Sequence, residues 1–197
     1  LLKKRLLSSP AAFCSTLEKH RTSLTEATRP ASAARSRRPN AGILKSMLEG
    51  IEEEYSSDDE YAAATDDAVQ LTSTLFRPPT AAEQGLLDDL LRWAGQAKQR
   101  PDRRARTLLD WVKQIVRPNG TWSDERVIVF TEYRDTQKWL QELFAAEGLT
   151  SDERLMLLYG GMRDDDREAV KAAFLARPDE SRVRILLATD AASEGID

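Results

Sequence analysis

Cysteine and histidine are almost absent from this chain: its 197 residues hold one of each, Cys14 and His20. A single cysteine excludes an intramolecular disulfide, and the two residues together make no Cys/His set for zinc. A reducing, cytoplasmic setting is expected. Long hydrophobic runs are missing as well. Stretches such as Val127 to Phe130 fall far short of the ~20 apolar residues that cross a bilayer, so no membrane segment is expected. No glycine is followed by lysine, which excludes a phosphate-binding loop of the G-K-[ST] type. The Asp-Glu pairs at 59–60, 124–125, 152–153 and 179–180 follow no apolar strand that would present them to magnesium. The chain has no signal-peptide pattern. It opens on Leu1 and stops at Asp197 just past an apolar strand, and so reads as a fragment.

What is present is 41% hydrophobic, enough for a packed core, and strongly patterned in charge. The net charge of -4 is distributed in blocks: +8 over residues 1–48, -11 over 49–89, +6 over 90–120 and -7 over 121–197. Such blocks make basic surfaces within an acidic protein, or simply solvated helix faces.

Ser9-Pro10 marks a helix start, because Ser caps a free N–H and Pro lacks one. Phe13 and Leu17 share one face of that helix, with Cys14 beside it as a small core residue and His20 near the helix end. Residues 21–42, rich in Ala, Ser, Thr, Arg and Pro, read as a basic linker. A short helix is expected over Ile43 to Tyr55 and an acidic loop over 56–70. Residues 1–79 thus form a helical, partly disordered connector. After Pro78-Pro79, Leu86, Leu87, Leu90, Leu91 and Ala94 recur at helical spacing, and a second helix follows Pro101 with Leu108, Leu109, Val112, Ile115 and Val116 inward. This pair occupies residues 80–120, and Pro118-Asn119-Gly120 ends it.

From residue 121 the character changes. Arg126–Phe130, Leu155–Tyr159 and Val183–Ala188 read as buried strands. Between them lie amphipathic helices over Asp135 to Gly148, with Thr136, Trp139, Leu140, Leu143 and Phe144 inward, and over Asp164 to Ala176, with Ala169, Val170, Ala173 and Phe174 inward. The fold class is α/β: a three-stranded parallel βαβαβ sheet with right-handed crossovers and helices on both faces. Val183–Ala188 or another strand is expected to be left as an apolar edge. Ligands of open parallel sheets bind outside the carboxyl ends of the strands, where three loops, 131–136, 160–163 and 189–197, would open together.

VIVFTEYRDT, LLYGGMRDDDREAVKAAF and ILLATDAASEGID, in this order and spacing, resemble the second RecA-like lobe of superfamily two helicases, with SEGID similar to bacterial Swi/Snf-type ATPases related to the RNA-polymerase-associated one. The resemblance covers residues 104–197 and implies a lobe truncated after motif five. It places Phe130, Thr131 and Tyr133 at motif four, touching the nucleic-acid backbone, with Gly160 and Gly161 as a phosphate-side turn and Thr189 as a phosphate ligand. Gly195 and Asp197 would lie against the nucleotide, Asp197 accepting a bond from the ribose, while Asp190 caps its own loop. The implied cofactors are ATP and magnesium in the intact parent, with none held by this fragment alone. The implied partners are nucleic acid, DNA in preference to RNA, and an N-terminal motor lobe. Without the phosphate-binding lysine, the magnesium ligand and the arginine finger, the chain alone is expected to be catalytically inactive. The competing reading is a non-catalytic nucleic-acid- or partner-binding module derived from such a lobe. A flavodoxin-like or receiver domain fits the βαβ pattern but not the three loops.

Overall fold

The computed structural model describes residues 2–27, 60, 63–64, 67 and 77–190. Helix α1 (Leu2–Ser8) leads into α2 (Pro10–Ala27), whose start is capped as expected: Ser9 Oγ accepts from Ala12 N at 3.0 Å. Ala12, Phe13, Cys14 and Leu17 are buried, and burial together with Glu18 pushes the Cys14 thiol pKa up. The helix outlasts the expected boundary at Arg21. Thr22, Ser23 and Thr25 each donate a hydroxyl to the carbonyl four residues back, at 2.9 to 3.0 Å, so these side chains bond within the helix rather than ending it. His20 therefore sits within the helix rather than at its end, where burial lowers its pKa. The remainder of the linker, residues 28–42, and the helix expected over Ile43 to Tyr55 lie outside the described residues. Within the acidic stretch, Glu60, Ala63, Ala64 and Asp67 are helical rather than looped, in keeping with the high propensity of alanine.

Helix α3 (Ala81–Ala97) opens with a capping box between Thr80 and Glu83, and the hydrogen bonds from Arg77 and Thr80 hold the Glu83 carboxyl at about 2. Its inner column is Leu87, Leu91 and Ala94, packed on Phe13, Cys14 and Leu17 of α2. Leu86 and Leu90, expected inside, are exposed together with Trp93. Two adjacent leucine columns make a stripe wider than α2 covers. Helix α4 (Arg103–Val116) is capped by Asp102, which accepts from Ala105 N at 2.8 Å, and buries Ala105, Leu109, Val112 and Val116.

The sheet comprises β1 (Val127–Thr131), β2 (Leu155–Leu158) and β3 (Ile185–Thr189), joined through α5 (Arg134–Ala146) and α6 (Asp164–Leu175). All pairing is parallel and the order is β1-β3-β2. β3 is therefore the central strand, and the edges of the described sheet are β1 and β2. β3 is buried at every position, and a strand apolar on both faces is most stable with a neighbour on each side. Alternate residues divide the core. Val127, Val129, Leu155, Leu157, Ile185 and Leu187 pack against α4 and α5, whereas Ile128, Met156, Leu158, Leu186 and Ala188 meet Val170, Ala173 and Phe174 of α6. Ala169 faces solvent instead. Among the described residues no helix is long and apolar enough to cross a membrane.

One arginine stands immediately before each strand: Arg126, Arg154 and Arg184. Arg126 donates to Val183 O at 3.2 Å and to Ala176 O, closing the loop between α6 and β3. The indole of Trp122 lies between Arg154 and Arg117, 4.8 and 5.6 Å from its centroid. The amino edge is thereby pinned by guanidinium groups.

Candidate functional site

The register sets Thr131 beside Thr189 at the carboxyl ends of β1 and β3, and Leu158, the last residue of β2, beside Ala188. The loops after β1 and β2 consequently open on one rim with Asp190, the first residue after β3. Gly160 N donates to Thr189 Oγ1 at 3.3 Å, tying the glycine turn to the end of the central strand. Gly160 is buried, while Gly161 is exposed with φ of 85°, a left-handed conformation natural to glycine.

The expected site residues separate by exposure. Phe130 is 49% exposed at the open end of β1. Thr131 is 8% exposed and its hydroxyl donates to Tyr133 O at 3.3 Å, so the proton assigned to a phosphate is used inside the loop. Tyr133 is 1% exposed, with the Arg5 guanidinium 3.9 Å above its ring. Its ring is a packing element rather than a surface contact, a correction that follows from α1 docking here. Thr189 is fully buried and accepts from Gly160. Both threonines thus shape the rim from beneath. Gly195 and Asp197 lie outside the described residues, and Asp190 is exposed.

Three contributions had no counterpart in the sequence reading. Gln137, completely buried on the first turn of α5, donates through Nε2 to Leu158 O at 2.9 Å and Leu187 O at 2.7 Å, bridging β2 and β3. Its Oε1 accepts from Arg134, whose guanidinium lies 3.5 Å from the Tyr159 ring centroid. A cation is therefore stacked and hydrogen-bonded at the rim. Thr136 Oγ1 meets Ser8 Oγ and Ser9 Oγ, each at 2.8 Å, which fastens α1 and α2 to the start of α5. The signal for Gln137 was present: it stands in one helical column with Leu140 and Phe144, a polar side chain where an apolar one is expected. The docking of α1, 128 residues away in sequence, left no comparable sign.

Chemically, the rim offers loop N–H groups, an exposed aromatic ring and the Arg134 cation. Among the described residues no group of three or more His, Cys, Asp or Glu is placed to hold a metal ion.

The helicase conserved C-terminal domain family matches residues 108–197. An uncharacterized ATP-dependent helicase of Bacillus subtilis (strain 168), YqhH, is 31% identical over 94 residues, 48% of this chain and 14% of that protein. The SNF2 domain-containing protein CLASSY 4 of Arabidopsis thaliana is 35% identical over 83 residues, 42% of this chain and 7% of that protein. The matched stretch therefore spans a small part of either relative. No solved structure matches significantly. The mixed fold with its three-stranded parallel sheet is consistent with a RecA-like helicase C-terminal domain, and a superfamily two C-terminal lobe is the assignment that these matches support.

Proposed function

We propose that residues 108–197, the stretch that carries the helicase C-terminal domain, serve in the longer parent as the second motor lobe of an ATP-dependent nucleic-acid translocase of Swi/Snf type. The observation that carries this reading is the meeting of the loops after β1 and β2 with the end of β3 on one rim, with Thr131 and Thr189 in register and Gly160 bonded to Thr189. Phe130, Gly161 and the loop amides then meet the nucleic-acid backbone, while Thr131 and Thr189 hold those loops in position. DNA is proposed in preference to RNA, on the resemblance of the SEGID segment to Swi/Snf-type ATPases. The closing segment with Gly195 and Asp197 is proposed to form one wall of the ATP cleft.

Among the described residues no group of three or more His, Cys, Asp or Glu is placed to hold a metal ion, and the metal and the groups that act on the γ-phosphate are proposed to belong to the partner lobe. Opening and closing of the cleft between lobes would alternate the backbone contacts made by each, and the motor would step. This lobe contributes grip and one cleft wall. The purified chain is accordingly expected to release no phosphate from ATP, with or without DNA or RNA. Turnover that rises with added nucleic acid, and survives stringent removal of contaminating ATPases, contradicts this division of labour.

A further inference from the structure

A groove of about 520 Å³ runs along the outer side of α4, lined by Arg103, Arg104, Thr107, Leu108 and Trp111. Arg103, Arg104 and Thr107 precede the stretch matched by the helicase domain, which begins at residue 108. The Trp111 ring is 50% exposed in it. We propose that this groove binds an unpaired nucleotide of a single-stranded nucleic acid, the base stacked on Trp111 and the adjoining phosphate against Arg103. The proposal rests on the reading that the carboxyl rim faces nucleic acid.

Three observations support it. The first is chemistry. An indole and the Leu108 side chain make an apolar floor, and guanidinium groups make the border, a combination that accepts the π-face of any base together with its phosphate. The second is charge. Within a chain of net charge -4, α4 and its flanks over residues 100–117 carry Arg100, Arg103, Arg104, Arg106, Lys113 and Arg117 against Asp102 and Asp110, and with Lys113 paired to Glu147 and Arg104 to Asp102 the segment still keeps a basic excess that complements a polyanion.

The third observation is position. Ser123 bonds to the last turn of α4, through Oγ to Ile115 O at 2.8 Å and through N to Val116 O at 2.9 Å, just before β1 begins. The carboxyl end of α4 therefore lies at the amino edge of the sheet, and its amino end, with Arg103 and Arg104, lies toward the rim. Arg104 donates to Leu7 O and to Ser8 O, and Ser8 in turn touches Thr136 at the start of α5. The groove therefore lies on the same side of the molecule as the start of α5, which follows the carboxyl end of β1. Stacking requires an unpaired base, so single strands are the class indicated rather than duplex.

The test uses the whole 197-residue chain and a fluorescein-labelled oligothymidylate at low salt, with affinity read by anisotropy. Trp111→Ala is expected to weaken binding about 5- to 150-fold, the range for loss of one stacked base. Trp111→Phe should keep most of the affinity, which separates stacking from any disturbance of α4. Arg103→Gln should lower the slope of log affinity against log salt by about 0.7, the value for one single-strand phosphate contact. A duplex of the same length should feel Arg103→Gln but not Trp111→Ala. Wild-type affinity in Trp111→Ala, with binding still weakened by Phe130→Ala, would sink the groove and leave the rim reading intact; it is also the result expected if the groove serves a protein partner. Equal weakening of duplex and single strand by Trp111→Ala would likewise overturn stacking on an unpaired base. Failure of the wild-type chain to bind oligothymidylate would overturn both readings.

Discussion

Arg184→Met is expected to destabilise the fold by about 3 to 5 kcal/mol, read as a lower urea midpoint at unchanged m-value. The side chain is 4% exposed and directs its donors at four carbonyls: Ser123 at 2.7 Å, Ser181 at 2.8 Å, Val183 at 2.9 Å and Pro178 at 3.2 Å. These belong to the segments that lead into β1 and β3, so one guanidinium ties down the approaches to two strands. Methionine fills similar space and leaves the acceptors without that partner, at a cost of roughly 1 to 3 kcal/mol for each one that water cannot reach. The ion pair to Asp124 adds little, since that carboxylate is 82% exposed and 3.4 Å away. Partial relief offsets the loss: burial first, and the Arg184 charge second, hold the pKa values of Arg126 and Arg154 below that of a free guanidinium. Arg184→Lys should fall between wild type and methionine, because it keeps the charge and loses the fork. A methionine variant within about 1 kcal/mol of wild type would mean that water already serves these carbonyls.

Gln137→Leu should cost about 2 to 3 kcal/mol and, unlike Arg184→Met, should act on the rim itself. The side-chain amide donates to both Leu158 O and Leu187 O, and the same group accepts from Arg134. Leucine is of comparable volume, so the loss is one of hydrogen bonds more than of packing. With the bridge removed, Tyr159 to Gly161 should exchange amide hydrogens faster while the centre of β3 keeps its protection. Uniform acceleration across the sheet would indicate a general core defect rather than a local latch.

How much of this is legible in the sequence depends on the kind of interaction. The strands announce themselves because Val127–Phe130 and Ile185–Ala188 are short apolar runs between polar flanks, and α5 does so through Trp139, Leu140, Leu143 and Phe144 at helical spacing. Convergence of the strands' carboxyl ends on one rim follows from parallel topology alone. Strand order does not, since nothing local distinguishes a central strand from an edge until the burial of both faces is weighed. The side-chain roles are harder still. A threonine at the end of a strand reads as a ready donor, yet Thr131 turns its proton to Tyr133 O and Thr189 receives Gly160 N. Those are choices of rotamer and loop geometry, which composition does not encode. Arg184 reads as part of a strand, whereas its value lies in carbonyls that only the closed fold gathers around it.

The central claim, that the carboxyl rim faces nucleic acid, is tested most directly by photo-crosslinking the whole chain to an oligonucleotide carrying 4-thiothymidine and mapping the adducts by mass spectrometry. The account expects adducts in the loops that follow the strands, at Phe130 and around Gly160 to Arg163, with competition by unlabelled nucleic acid of unrelated sequence, because contacts to the backbone carry no sequence information. Adducts confined to the amino edge, in the segments around Asp124, Asp152 and Asp179, would contradict it.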